Sequence, residues 1–160
     1  MTSNSLLKNK NFVLFLSIRW FYSLAIQSIT LTVGWQVYIL TGNPLDLGLI
    51  GLAQVLPIFL FILPSGVIAD KFDRKVVITL CTIVHLLVAI YLLYYSLGSP
   101  ESIWPILAAL LVHGTARAMY QPSLNAILPN IVEKKLFPNA TAYNSSVGKL
   151  GHLLGPLASG

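Results

Sequence analysis

Three basic residues lie inside stretches of this chain that are otherwise apolar: Arg19, Arg117 and Lys149. No Asp or Glu accompanies them there. An ionisable side chain in a membrane-like segment is costly, so it marks a cavity, a charge pair or a bound ligand. Cations without carboxylates favour an anionic or electron-rich group on a bound small molecule. Other polar residues extend these positions. Arg19, Ser23, Gln27, Thr30, Gly34 and Tyr38 recur at spacings of three and four, which at about 100° per residue is one helical face. His113, Arg117, Tyr120 and Gln121 repeat the pattern further on, and Lys149 neighbours His152. Substrate-cavity candidates are therefore Arg19, Gln27, Thr30, His113, Arg117, Gln121 and Lys149.

Each has a plainer alternative. Arg19 stands near the end of its segment and can snorkel to the interface. Arg117 is about two turns deep, where snorkelling is harder. Gln27 and Gln121 suit interhelical hydrogen bonds equally well. His85 and His113 read first as packed polar residues and second as proton-coupling groups. Enzymatic chemistry lacks support: there is no phosphate-cradling Gly-x-x-x-x-Gly-Lys loop, no His or Cys spacing for a metal, and no nucleophile elbow. No cofactor and no metal are expected. The single Cys81 allows no internal disulfide.

The segments carrying these residues follow from the charge distribution. Only 9% of the 160 residues are charged, against about 25% in soluble domains. Hydrophobic residues make up 56%, and the mean hydropathy is +0.77. That excludes a disordered chain and leaves too little polar skin for a soluble domain. A net charge of +5 would suggest nucleic acid in a soluble protein. In a membrane protein it reports cytoplasmic loops, so the expected surroundings are a lipid bilayer and not nucleic acid. A helix needs about 20 apolar residues to cross the hydrocarbon core, and strands would leave backbone groups unpaired there. The charge gaps predict an all-α integral membrane domain over 1–160, with helices near 12–40, 47–69, 76–97, 103–126 and 140–160. The first is longer than required, so it either tilts or begins in the interface. It is too long, and too interrupted by Arg19, for a cleaved signal peptide.

Thr41-Gly42-Asn43-Pro44 and Gly98-Ser99-Pro100 read as turns, and Pro129 and Pro138 bracket a longer polar connection. Lys8, Lys10, Lys71, Arg74, Lys75, Lys134 and Lys135 all fall on one side of this topology, which predicts a cytoplasmic N-terminus. Trp104 suits an interfacial anchor on the other side. Five spans is an odd number, and the last ends on apolar sequence, so a chain cut short is expected.

Gly66-Val67-Ile68-Ala69-Asp70-Lys71-Phe72-Asp73-Arg74-Lys75 joins the second and third helices. This resembles the signature loop of the major facilitator superfamily, in order and in helix index. Gly66 would admit a close helix approach, Asp70 would pair with a basic group or helix terminus, and Lys71, Arg74 and Lys75 would supply donors. The resemblance implies that Gly66, Asp70, Lys71, Asp73, Arg74 and Lys75 form a latch between two halves of a transporter. Asp73 replaces the family's usual Gly and suits an N-cap of the third helix. In the fifth helix, Gly148, Gly151, Gly155, Pro156, Ser159 and Gly160 resemble the Gly-Pro motif of the superfamily's antiporters and exporters. Small residues on one stripe allow tight packing, and Pro156 can kink the helix.

The phrasing of Gly48–Gln54 and Arg117–Ala126 is similar to the enterobactin-exporter and macrolide-efflux branches. The resemblance implies five helices of an incomplete N-terminal six-helix half, whose first and fourth helices line a central cavity. The expected function is a secondary-active exporter of a siderophore or drug in the bacterial inner membrane, working by alternating access with the missing C-terminal helices. The alternatives are a truncated, non-transporting remnant that only associates with other helices, and a small membrane enzyme or channel subunit.

Overall fold

The computed structural model describes residues 4–98 and 100–159, with side chains at all of these except 4–5, 69–70 and 158–159. Every regular element among the described residues is helical. After the short α1 (Asn4–Lys8) come α2 (Lys10–Thr41), α3 (Pro44–Lys71), α4 (Arg74–Leu97) and α5 (Trp104–Ile131). A 3₁₀ turn (Lys134–Leu136) then runs into α6 (Phe137–Ser159).

Local chemistry sets the helix ends. Asn9 caps α2: its Oδ1 accepts from the amides of Asn11 at 3.0 Å and Phe12 at 3.4 Å. Gly42 closes α2 with a φ of +63° and donates its N–H to the Tyr38 carbonyl, a conformation glycine adopts without penalty. Asn43 caps α3 through Oδ1 and the Leu45 amide at 3.1 Å, and Pro44 occupies the first turn, where a missing N–H has no intrahelical partner anyway. The expected turn at 41–44 is thus shorter, and α3 starts before Leu47. The cap expected of Asp73 is present, with its Oδ1 2.8 Å from the Lys75 amide.

The long connection expected between Pro129 and Pro138 is not observed. α5 continues to Ile131 with Pro129 inside it, and Pro138 lies in the first turn of α6. Only Val132 and Glu133 separate α5 from the 3₁₀ turn.

Of the described helices, Lys10–Thr41, Pro44–Ile68 and Arg74–Leu97 are long and apolar enough to cross a membrane. Only 28%, 22% and 28% of their most apolar windows are buried within the chain, so most of this surface is left for lipid or further helices. At 32 residues, α2 is about 48 Å long at about 1.5 Å per residue, against a core of about 30 Å. α5 and α6 are 28 and 23 residues long, but their polar residues dilute the apolar signal.

The chain divides into two compact units, Met1–Thr32 with Ile127–Gly160, and Val33–Ala126. In the first, Leu6, Phe12, Phe15, Leu16, Ile26, Leu128 and Ala140 are buried, and Phe12 meets Tyr143 edge-on at 6.3 Å. Asn9 Nδ2 donates to the Ile131 carbonyl at 3.1 Å, which satisfies one of the orphan acceptors at the end of α5. In the second unit, Val77, Cys81, His85, Val88 and Leu92 form one buried face of α4, the stripe expected of a half-buried helix. Gly114 of α5 lies so close to α3 that an added Cβ would sit 2.7 Å from the Gln54 carbonyl oxygen and 3.0 Å from Pro57 Cγ.

Candidate functional site

In the first unit the glycines of α6 are seated directly on the polar stripe of α2. A Cβ at Gly148 would lie 3.0 Å from Arg19 Nε, one at Gly151 2.6 Å from Ser23 Cβ, and one at Gly155 2.5 Å from Gln27 Cβ. The two stripes interlock because 3.6 residues per turn puts each set on one face. Small residues let the backbones close up. Ser28 Oγ donates to the Gly155 carbonyl at 3.3 Å, and His152 Nδ1 meets Gln27 Oε1 at 3.1 Å. Thr30 Oγ1 donates to the Ile26 carbonyl of its own helix at 2.9 Å. Arg19, Gln27 and Thr30 are each half-buried, whereas Lys149 and His152 are exposed. A cation, an amide and an imidazole therefore gather along one helix seam. Gly160 and the Ser159 side chain of the Gly-Pro motif lie outside the described residues.

In the second unit His113 and His85 meet between α5 and α4, with Nδ1 atoms 3.1 Å apart and ring centroids 4.5 Å apart. The Tyr120 ring stands edge-on to His85 at 6.2 Å. His113 is fully buried, and Arg117, one turn further along α5, is half-buried, as is Gln121.

The charged elbow joins α3 to α4 through Phe72 and Asp73. Arg74 donates from Nη1 to the Ala126 carbonyl of α5 at 2.7 Å, a short charge-assisted bond. Lys71, Asp73 and Lys75 are exposed, and the Asp70 side chain lies outside the described residues. Gly66 departs from expectation. A Cβ there would meet nothing within 4 Å, so the close helix approach is not made at this glycine among the described residues. It is made at Gly114, Gly151 and Gly155 instead.

Several residues escaped the sequence reading. Gln54, Ser65, Ser123 and Asn144 are buried polar residues. Asn144 stands four before Gly148 and could have been found by extending the glycine stripe one turn. Gly114 had a fainter signal in Pro57, whose ring removes the donor for the Ala53 carbonyl; a Gly114 Cβ would lie 3.3 Å from that oxygen.

Apolar helices of membrane-spanning length, a basic elbow docked on a neighbouring helix and a glycine-seamed helix pair mark an integral membrane protein. A family model described as transmembrane secretion effector matches residues 4–160, and the chain belongs to that family, within the major facilitator superfamily. It is 25% identical over 141 residues to an uncharacterized MFS-type transporter, YfiS, of Bacillus subtilis strain 168, covering 88% of this chain and 31% of the relative. It is 22% identical to macrolide efflux protein A of Streptococcus pyogenes, covering 72% of this chain and 29% of that protein. It is 29% identical to the staphyloferrin A transporter of Staphylococcus aureus, covering 80% of this chain and 32% of that protein. The chain thus spans about a third of the length of the curated relatives it matches. No solved structure matches it at a comparable level.

Proposed function

We propose that this chain is the N-terminal part of a secondary-active exporter in the bacterial inner membrane, with its N-terminus cytoplasmic. Two halves rock about a midplane site, and this chain supplies part of one wall. The observation that carries the reading is the family match over residues 4–160, together with a signature elbow whose Arg74 holds the Ala126 carbonyl. That bond ties the start of α4 to α5, so the elbow moves with both helices, as a latch between halves requires. Gly66, Asp70, Lys71, Asp73, Arg74 and Lys75 are its candidate residues.

The candidate cavity residues are Arg19, Gln27, Thr30, His113, Arg117, Gln121 and Lys149. The charge balance supports an anionic or electron-rich substrate, since the cations within the spans have no carboxylate beside them in sequence. The printed functions of two relatives, a macrolide efflux protein and a staphyloferrin A transporter, support a siderophore or drug. The test is efflux from cells expressing the full-length protein, with a macrolide or staphyloferrin A as probe. Wild-type protein lowers retention of at least one probe, and Arg117→Ala reduces that export. Normal export by Arg117→Ala would remove the cavity cation from the reading, and no export of either probe by the wild type would refute the exporter itself.

A further inference from the structure

We propose that His85 and His113 form a one-proton site between α4 and α5 that couples proton movement to export, an inference that rests on the exporter reading above. Both rings are buried, at 8% and 0% exposure. Their Nδ1 atoms are 3.1 Å apart. Two ring nitrogens at that distance share a hydrogen bond only if one carries a proton and the other a lone pair. The neutral pair is therefore asymmetric: one ring is the Nδ1–H tautomer, and its Nε2 carries a lone pair.

That asymmetry fixes the capacity. One proton added at the open Nε2 yields an imidazolium whose Nδ1–H still donates to the neutral ring. The contact survives and becomes charge-assisted. A second proton would give both Nδ1 atoms hydrogens, with no acceptor between them, and the contact would be lost. The intact geometry therefore holds one extra proton and no more.

One nitrogen is left over for that proton. His113 Nε2 is buried and has no hydrogen-bond partner among the described residues. Buried polar atoms are ordinarily satisfied, and an exception calls for a role. A purely structural histidine is held from both nitrogens, whereas an exchanging one needs a nitrogen left for the incoming proton.

Arg117 follows His113 by one turn on α5 and is half-buried. Tyr120 stands edge-on to His85 at 6.2 Å, and Cys81, one turn before His85 on α4, is buried. α3 is packed on α5 at Gly114 through the Gln54 backbone carbonyl, and the Gln54 side chain, a neutral amide, is buried. Neither α4 nor α5 contains Asp or Glu, so the histidines are the groups here whose ordinary range lies near neutral pH. A proton taken up by the pair places charge beside Arg117, the residue proposed to face substrate. Proton and substrate then act on one another's binding, and that coupling is reciprocal. In each cycle one N–H bond forms as the proton enters from the acid side and one breaks as it leaves to the other. No electrons move.

The test has two arms on the full-length protein. In the first, histidine labelled with ¹⁵N is followed by NMR in lipid nanodiscs from acid to neutral pH, with His85→Gln and His113→Gln assigning the signals. The two rings are expected to show a coupling across the N–H···N bond and to take up a single proton between them. Independent titration, uptake of two protons, or no uptake would overturn the proposal. In the second, proteoliposomes move erythromycin or staphyloferrin A with and without an imposed proton gradient. His113→Gln is expected to lose the stimulation by the gradient, and the NMR spectrum of the same variant in nanodiscs shows whether it is folded. If a gradient-driven wild type is matched by an unaltered His113→Gln, the proton site alone fails. If the wild type moves neither probe under either condition, the exporter reading fails and takes this proposal with it.

Discussion

Replacing glycines by alanine along the α2–α6 seam should produce a graded loss of stability with an internal control. Carbon atoms in contact ordinarily stand about 3.5–4.0 Å apart. A Cβ at Gly151 would start 2.6 Å from Ser23 Cβ, and one at Gly155 2.5 Å from Gln27 Cβ. Both opposing atoms are fixed to the α2 backbone, so the helices must part by about 1 Å, a shift that restores ordinary contact. Overpacking of this kind costs about 1–3 kcal/mol. Alanine returns about 0.8–1 kcal/mol in helix propensity, so each variant is expected to lose up to about 2 kcal/mol once the two are combined. Gly148→Ala should lose less, because the atom 3.0 Å away belongs to the Arg19 guanidinium, the far end of a flexible side chain. Gly34→Ala and Gly51→Ala meet nothing within 4 Å and should gain up to about 1 kcal/mol from propensity alone. The assay is equilibrium unfolding of the chain in detergent, read by tryptophan fluorescence and circular dichroism. If Gly151→Ala and Gly155→Ala are as stable as Gly51→Ala, the seam is not packed as described and the reasoning is wrong.

Three further outcomes follow from the same physics. Asp73→Ala removes the cap of α4 and should cost about 1 kcal/mol, seen as faster hydrogen exchange at the first amides of α4, with little change elsewhere. Phe12→Ala opens a cavity at a side chain of 0% exposure and should cost about 3–5 kcal/mol; a loss below about 1 kcal/mol, the scale of a surface change, would mean that Phe12 does not anchor its unit. Gly42→Ala places a side chain at φ +63° and should cost about 1–2 kcal/mol. Gly42→Asn should be tolerated better, since Asn visits that region more readily, and a thermal melt of the two variants compares them.

The class of fold was legible because a charge is expensive in hydrocarbon, so the gaps between charges outline the helices. The cap of α4 was legible because an Asp just before a helix has few other uses. What escaped was mostly contact between helices. Periodicity put His113 and Arg117 on one face of α5, but nothing in a single sequence says which face of α4 meets them, so the His85–His113 pair was not visible. Gly66 is a different case: among the described residues no close approach is made there, whereas Gly114, which belongs to no motif, makes one. The end of α5 was misjudged because Pro129 was read as a breaker, although a proline near a helix end removes only one hydrogen bond from a ladder already running out.

The order of synthesis gives the α2–α6 seam a further meaning. Gln27 and its partner His152 are 125 residues apart. At about 5–20 residues per second the ribosome needs roughly 6–25 s to travel from one to the other. Through that interval the face of α2 bearing Arg19, Ser23 and Gln27 exists without the glycines that later cover it. An arginine at the centre of an inserting helix carries a penalty of about 2.5–3.5 kcal/mol on translocon scales, softened here because Arg19 lies nine residues from the start of a 32-residue helix. The apolar length of α2 therefore serves biogenesis as much as the finished fold: it holds α2 in the bilayer until α6 emerges.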